Sequence, residues 1–375
     1  METKLSVPSD ELAKLALSDR TSLSIEKLEA EYILDIAGQP SLSTSNSCKI
    51  AATSSNFTVR LYNIDNLGFI CSIRAHDDVI SGVRFSDANA RLMFTASHDG
   101  TVRCWDIRVK DKCVQSFMPP SSRCDVAFSS LDVSSDGTII CAGSVAQGDD
   151  VDVVLWDVRR AGHGLRCFNE SHTDDVTSVC FGAEQSLLSG STDGLVCVYD
   201  LTQCDDDDAL VGTLNTESSV SKLGFCGERS SLIYALTHVE TLHLWQAQED
   251  FDDVAHLTDI RSSSPDRNID YLVDCFDCGH VCDRVCVLAG SNTGQGHLMS
   301  VQGNALQYEH SLCGGHNDVI RSMVWCAGSA TLITGGEDAT LCSWKPQDVG
   351  TSPQPAASKL KMKSSSRKHQ RNKPF

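Results

Sequence analysis

Histidine, hydroxyl and aspartate side chains recur together at three places, in sets that a Ser–His–Asp relay could use for nucleophilic catalysis. The sets are His76, Thr95 and Asp99; His172, Ser189 and Asp193; and His316, Thr334 and Asp338. Six residues after each aspartate stands an aromatic side chain: Trp105, Tyr199 and Trp344. Bonds from aspartate through histidine and hydroxyl to the aromatic residue would equally satisfy four polar groups in a buried place. Because the set recurs three times at a structural period, we interpret it as a structural tetrad.

The residues between these side chains indicate the elements that hold them. Apolar residues follow each histidine at the fourth, seventh and ninth positions, and the last two share one face of a strand. Asp99-Gly100 and Asp193-Gly194 are typical of two-residue hairpins, whose central residues both need positive φ. Degenerate copies fill the rest of the chain, with the aromatic position recurring every 43–54 residues at Tyr62, Trp105, Trp156, Tyr199, Trp245, Met299 and Trp344.

The segments HDGTVRCWDIR (98–108), DDVDVVLWDVR (149–159) and GGHNDVIRSMVW (314–325) resemble the WD-repeat family. That resemblance implies a β-propeller with four strands in each blade. Seven copies predict an all-β, seven-bladed propeller closed by an N-terminal strand. Only three copies carry the full tetrad, since the fifth has Thr216 and Val239 where the histidine and the turn aspartate would stand. The third has Cys124 in place of the histidine.

The predicted domains are an N-terminal extension at 1–20, a propeller at 21–346 and a disordered basic tail at 347–375. The alternating segment 21–28 is expected to supply the closing strand, because closure removes an open sheet edge. Residues 10–17 fit either a short amphipathic helix or disorder, and disorder is favoured.

The composition indicates the compartment of the protein and the partners that its charge disfavours. The chain has 375 residues, 18 of them cysteine, and no secretory signal or 18-residue apolar run, so the cysteines are interpreted as reduced thiols in the nucleus or cytoplasm. The formal net charge is −19, but residues 350–375 carry seven basic residues and no acid. Setting those seven charges aside leaves −26 for the rest. The ring is therefore expected to avoid nucleic acid.

The tail is the one basic stretch, with Lys359, Lys361, Lys363, Arg367, Lys368, Arg371 and Lys373. Serine and proline enrichment predicts disorder. Such a run fits a nuclear or nucleolar address, an inert solvated tail or a weak nucleic-acid contact. The first of these is the preferred interpretation.

Two segments contain residue types that are found in metal or phosphate sites. Cys275, Cys278, His280, Cys282 and Cys286 could supply four zinc ligands, but the spacing lacks two separated ligand pairs, so we expect thiols and no metal. The glycine-rich segment 290–296 lacks the Lys-Ser/Thr of a phosphate loop, so we expect no nucleotide or other cofactor.

Two arginines stand in W-D-x-R boxes, Arg108 after Trp105-Asp106 and Arg159 after Trp156-Asp157. In the WD-repeat family this box resembles the element by which some propellers dock on the propeller adaptor of cullin–RING ubiquitin ligases. A planar, permanently charged guanidinium suits such an anchor. The alternative is a basic residue that merely ends a strand on a solvated rim.

Acidic clusters lie on predicted connections, where they either keep the loops soluble or attract a basic partner. They are Asp149, Asp150 and Asp152; Asp205 to Asp208; and Glu249, Asp250, Asp252 and Asp253.

Together these features predict a non-catalytic protein–protein interaction scaffold, monomeric within a complex and not bound to membranes. The alternative is a substrate receptor of a cullin–RING ubiquitin ligase. An enzyme is not expected, because the sequence offers no single acid–base pair, nucleophile or metal set.

Overall fold

The computed structural model describes residues 12–23, 31–40, 48–109, 112–119, 126–148, 150–160, 164–248, 250–258, 260–261, 267–277 and 284–347. These form seven antiparallel four-stranded sheets. The sheets are the blades of a ring, so the predicted seven-bladed propeller is confirmed. Each of the seven positions spaced 43–54 residues apart lies on the third strand of its blade.

Six blades are built from four consecutive strands. Blades 1 to 3 contain β2 (Ile33–Gly38), β3 (Lys49–Ser54), β4 (Thr58–Asn63), β5 (Phe69–Arg74), β6 (Ile80–Phe85), β7 (Leu92–Ser97), β8 (Val102–Asp106), β9 (Cys113–Phe117), β10 (Phe128–Val133), β11 (Ile139–Ser144), β12 (Val153–Asp157) and β13 (Gly164–Phe168). Blades 4 to 6 contain β14 (Val176–Phe181), β15 (Ser186–Ser191), β16 (Leu195–Asp200), β17 (Leu210–Asn215), β18 (Val220–Cys226), β19 (Leu232–Thr237), β20 (Leu242–Gln246), β21 (Asp253–Leu257), β22 (Tyr271–Asp277), β23 (Val285–Gly290), β24 (Gly296–Gln302) and β25 (Ala305–Leu312).

Blade 7 closes the ring with both ends of the described chain. It contains β26 (Ile320–Cys326), β27 (Thr331–Gly336) and β28 (Thr340–Pro346), and β1 (Leu15–Ser22) pairs with β28 as its outer strand. The predicted closing segment 21–28, and with it the boundary at residue 20, was therefore wrong by six residues. Buried leucines at the ends of the segment explain the register: Leu12 and Leu15 pack into the core between blades 6 and 7, and Leu23 into that between blades 7 and 1.

Helices are few in the described part of the chain. A four-residue helix, α1 (Asp206–Ala209), precedes β17, and short 3-10 turns occupy Leu12–Lys14, Glu228–Ser230 and Ala327–Ser329. Residues 12–14 thus form a 3-10 turn and residues 15–17 a strand, so the helix or disorder predicted over 10–17 was wrong there.

The hairpin turns between second and third strands differ from the sequence prediction. Gly100 and Gly194 have positive φ (79° and 86°), whereas Asp99 and Asp193 do not. The amide N–H of Gly100 donates to the Ser97 carbonyl and closes a turn. Gly100, the last residue of that turn, is the one with the left-handed backbone conformation. Only that residue needs positive φ, which explains why Ala339 can occupy the position in blade 7 at 55°.

The core lies between blades. Seven clusters of buried apolar side chains each draw on two neighbouring sheets, and between them they cover all seven interfaces of the ring. Inner-strand hydroxyls add hydrogen bonds across three successive interfaces: Ser81 to the Phe128 carbonyl (2.6 Å), Ser129 to Val176 (2.7 Å) and Thr177 to Val220 (2.7 Å). A rigid ring carrying short loops at both ends follows from this arrangement.

Candidate functional site

The structure brings together the four side chains of the tetrad in blade 2. Nδ1 of His76 lies 2.9 Å from an Asp99 carboxylate oxygen, and Nε2 lies 2.7 Å from the Thr95 hydroxyl. Trp105 Nε1 donates to the same hydroxyl at 2.9 Å. Since a carboxylate only accepts, the Nδ1 atom of His76 carries a proton.

Blades 4 and 7 repeat this geometry. His172 lies 3.1 Å from Asp193 and 2.7 Å from Ser189, whose hydroxyl is 3.0 Å from that of Tyr199. In blade 7, His316 lies 3.1 Å from Asp338 and 2.8 Å from Thr334, and Trp344 Nε1 donates to Thr334 at 2.9 Å.

Burial decides what these sets can do chemically. The hydroxyl residues Thr95, Ser189 and Thr334 are each 0% exposed. A nucleophile must reach a substrate carbonyl or phosphoryl group, and these oxygens have no solvent-exposed approach. Their bonds instead satisfy polar groups that would be costly to bury alone.

The tetrads shift the pKa values of their ionisable members. Burial favours the neutral ring of His172, but the hydrogen bond to Asp193, with Cys197 beside it, outweighs burial and raises the pKa of His172 to about 9. Burial also opposes ionisation of Asp99, yet hydrogen bonds from His76 and Thr101 hold the pKa of its carboxyl well below its usual value. The pKa values of Asp193 and Asp338 are lowered in the same way. Both partners in the blade 4 pair are thus held in their charged forms.

The other four blades share a substitution that sequence reasoning missed. At the position of the tetrad hydroxyl, two residues beyond the partner of the third-strand aromatic, all four carry alanine: Ala52, Ala142, Ala235 and Ala289. An alanine needs no hydrogen-bond partner, so its presence matches the missing histidine. Aligning the second strands on their third-strand partners would have revealed this correlation.

The two W-D-x-R arginines occupy equivalent, exposed positions after the third strands of blades 2 and 3. The side chains of Arg108 and Arg159 are 59% and 74% exposed. Each guanidinium forms an ion pair with the aspartate of its own box, with Nη2–Oδ2 distances of 2.6 Å to Asp106 and 3.0 Å to Asp157. These bonds lower the pKa of each aspartate to about 2.

The cysteine group is split by the fold. Cys278, His280 and Cys282 lie outside the described residues, while Cys275 is on β22 and Cys286 on the paired strand β23. Cys275 packs toward blade 5 and Cys286 toward blade 7, so these two sulfurs face opposite sides of the sheet. Among the residues that the structure describes, no three potential ligands come close enough to hold a metal ion. Segment 290–296 is the β23–β24 turn with the ends of its two strands.

The described members of the acidic clusters lie between strands, except for Asp253, which begins β21. The cluster at 205–208 includes helix α1 and is held by hydrogen bonds. Asp205 caps α1, and Arg166 from blade 3 donates to the Asp206 carboxylate and to the carbonyls of Gln203 and Asp205. Asp252 lies beside β21, whereas Asp149 and Glu249 fall outside the described part of the chain. The basic residues of 359–373 fall outside it as well.

The central channel holds a chain of ionic contacts that the sequence did not reveal. The Asp35 carboxylate accepts from Arg84 (2.8 Å), from the Val83 amide (3.2 Å) and from Ser322 (3.1 Å). Arg84 also lies 3.6 Å from Asp132, which accepts from the Phe181 amide at 2.7 Å. These contacts link the inner strands of blades 7, 1, 2, 3 and 4 around the axis. The Asp35, Arg84 and Asp132 side chains are thus already paired within the ring.

The seven-bladed ring and its buried tetrads define a WD-repeat propeller. The family model for "WD domain, G-beta repeat" matches residues 68–106, 165–200 and 307–345, each containing the third-strand aromatic residue of a tetrad blade. The chain belongs to the WD-repeat family, whose propellers generally serve as protein-interaction scaffolds.

Two curated relatives are similar over most of their length. The WD repeat-containing protein 89 homolog of Dictyostelium discoideum is 30% identical over 318 residues, covering 84% of this chain and 82% of the relative. The WD repeat-containing protein GTS1 of Arabidopsis thaliana is 32% identical over 329 residues, covering 80% and 79%. Within the described residues, no helix is both long and apolar enough to cross a membrane.

Proposed function

We propose that this chain is a non-catalytic scaffold that binds other proteins through the loops and rim of its propeller. The observation that carries this proposal is the contrast in exposure between its two sets of polar residues. The hydroxyls of the relay-like tetrads are fully buried, whereas the charged side chains of the loops, such as Arg108 and Arg159, are exposed. Loops on a stiff ring suit docking of several partners.

Affinity capture of the full chain from cells, with quantitative identification of co-purified proteins, tests the scaffold. We expect a reproducible set of partners at near-stoichiometric amounts. Recovery of the chain alone, with a small-molecule turnover by the purified protein, would contradict the proposal.

A second candidate, a substrate receptor of a cullin–RING ubiquitin ligase, is favoured by the paired boxes. Arg108 and Arg159 lie on neighbouring blades, and Gln115 Nε2 of blade 2 donates to the Val158 carbonyl of the blade 3 box at 2.9 Å. This bond fixes the outer strand of blade 2 against the blade 3 box, and a fixed relation between neighbouring blades favours one partner that contacts both guanidinium groups.

Co-purification with the propeller adaptor of the ligase tests the receptor role. We expect the combined Arg108→Ala and Arg159→Ala variant to lose the adaptor. The matched control is Lys112→Ala with Arg160→Ala, which removes two exposed cations from the same blades. Undiminished adaptor binding by the Arg108/Arg159 variant would exclude docking through the boxes.

The charge distribution suggests two further features of the scaffold. Its acidic loops favour a basic protein partner, whose binding weakens as salt rises. Residues 350–375 favour nuclear or nucleolar targeting, and contact with nucleic acid is confined to that segment. Imaging the chain with and without residues 350–375 checks the targeting, because an unchanged distribution would remove it.

A further inference from the structure

A cavity of about 720 Å³ opens between blades 1 and 2, at the end of the ring where the third strands end. Three cations line it: Lys49 of blade 1, and Arg91 and Arg108 of blade 2. Its volume falls in the range of pockets that bind ligands.

The positive charge of this cavity, which we call the blade 1–2 groove, is only partly neutralised. Arg108 is paired with Asp106, and the lowered pKa of Asp106 keeps that carboxylate ionised. Lys49 and Arg91 form no ion pair with any carboxylate in the described parts of the chain. Asp87 belongs to the same loop as Arg91 but does not line the groove. The charge of Arg91 also helps to lower the pKa of Asp106, so this one carboxylate acts on two of the three cations. The three cations and Asp106 together give the groove a net charge of about +2.

The floor of the groove is held by hydrogen bonds between the two blades. The Gln39 amide group donates to the Ala90 carbonyl of blade 2, and its oxygen accepts from the Lys49 amide at 3.0 Å. The Asn89 side chain accepts from the Arg91 amide at 3.2 Å. The sequence between Pro40 and Cys48 contains no charged residue. The cations thus stand on a preformed surface.

Apolar groups share the groove with the cations. Pro40, Ala88 and Ile107 line it and are each at least partly exposed. Lys49 and Arg91 belong to different blades, so two carboxylates spaced along a chain match them better than one small anion does. A ligand with carboxylates beside an apolar side chain would satisfy both features.

We propose that the blade 1–2 groove binds an extended segment of a partner protein that carries at least two carboxylates beside an apolar residue. This inference rests on the proposed scaffold function and names a class of partner for it. Lys49 and Arg91 contact the carboxylates, and Ile107 and Pro40 receive the apolar side chain. Arg108 adds a third cation whose charge Asp106 already offsets.

Fluorescence anisotropy tests the groove with a labelled nonapeptide of sequence GSEELELGS and the full chain. We expect saturable binding that weakens as sodium chloride rises from 50 to 300 mM. Combining Lys49→Glu with Arg91→Glu should weaken binding by at least about tenfold. The control, Lys112→Glu with Arg160→Glu, makes the same change of net charge at two exposed cations of blades 2 and 3 that do not line the groove, and it should change binding less than about threefold.

A peptide with glutamine in place of each glutamate should not bind. Amide hydrogen exchange locates the site, since the glutamate peptide should protect residues 86–92 and leave the equivalent loop of blade 3, residues 134–138, unchanged. Absence of peptide binding, or equal weakening of binding in the two charge-reversal variants, would contradict the proposal that the blade 1–2 groove binds an acidic segment. Partner capture by the full chain would still stand in that case, so failure of the groove is distinguishable from failure of the scaffold.

Discussion

Blades 4 and 5 are neighbours with the same four-stranded pairing, yet their interiors are built from different chemistry. Blade 4 joins His172, Asp193, Ser189 and Tyr199 by hydrogen bonds. In blade 5 the corresponding positions hold Thr216, Val239, Ala235 and Trp245.

Blade 5 replaces the missing network with stacked rings and a short chain of hydroxyl groups, in which the Thr241 hydroxyl lies 3.2 Å from His243 Nε2. His243 faces Ala235 across the strand pair, and its ring stacks on Trp245 (centroids 5.4 Å apart) and on His256 (4.0 Å). Burial and the neighbouring His256 lower the pKa of His243 to about 4. The two blades therefore keep their histidines in opposite charge states at neutral pH. The buried polar groups of a propeller blade need partners, and either a charged hydrogen-bond network or stacking of neutral rings provides them.

Removal of the turn aspartate should give the largest difference in the free energy of unfolding between variants of blade 4 and blade 5. Asp193→Ala deprives His172 Nδ1 and the amides of Thr173 and Leu195 of their acceptor. We expect it to lower the free energy of unfolding by about 3 kcal/mol or more, because it leaves a buried charge without a partner. The control Val239→Ala, at a residue that is 61% exposed, should change it by less than about 0.5 kcal/mol. Urea unfolding of both variants measures this, and equal losses would show that the network adds nothing.

Exchanging the whole network should cost less than dismantling it piecewise. A fourfold variant of blade 4 (His172→Thr, Ser189→Ala, Asp193→Val and Tyr199→Trp) carries the residues of blade 5. It removes the four network side chains together, and only the amides of Thr173 and Leu195 still lose their acceptor. Its loss of stability should therefore be at least about 2 kcal/mol smaller than the sum of the four single losses. Strict additivity would mean that the four side chains act independently.

The two histidines should give stability opposite dependences on pH. With an unfolded value near 6.5, the raised pKa of His172 makes its contribution complete below about pH 6.5, and that contribution is lost as pH rises toward 9. The lowered pKa of His243 means that stability is lost as pH falls from about 6.5 toward 4. Unfolding of wild type, His172→Gln and His243→Phe between pH 5 and 9 tests both signs. We expect the deficit of His172→Gln to shrink with rising pH and that of His243→Phe to shrink with falling pH.

The smallest effect should come from changing one tetrad hydroxyl into another. Blades 2 and 7 use threonine where blade 4 has Ser189, so Ser189→Thr keeps the acceptor and donor and should cost less than about 1 kcal/mol. Ser189→Ala, which removes partners of His172 and Tyr199, should cost about 1–3 kcal/mol. Thermal unfolding compares the pair, and a larger loss for the threonine variant would show that space, not hydrogen bonding, controls this position.

The sequence predicts most of the ring because its information is local. The members of each tetrad lie within about thirty residues of one another, and the copies repeat at regular intervals, so spacing alone identifies both the side chains and the number of blades. The closing strand was misplaced because residues 15–22 and 21–28 both alternate, and the choice depends on burial of Leu15 and Leu23 against strands more than 300 residues away.

The groove escaped prediction for a similar reason. Gln39 and Ala90 meet across two blades, and nothing in the spacing of either segment indicates the contact. Lys49 and Arg91 look like ordinary surface cations until the fold places them around one cavity. Sites assembled from loops of different blades thus require the structure, whereas the tetrads do not.

The fourfold blade 4 variant also tests whether the tetrads are structural and binding belongs to the loops and rim. At a temperature where the variant is fully folded by circular dichroism, quantitative affinity capture should recover the same partners in the same amounts as the wild-type chain, despite a lower unfolding temperature. Loss of a specific partner from the folded variant, or loss of a measurable turnover, would contradict a purely structural role for the His172–Asp193 network.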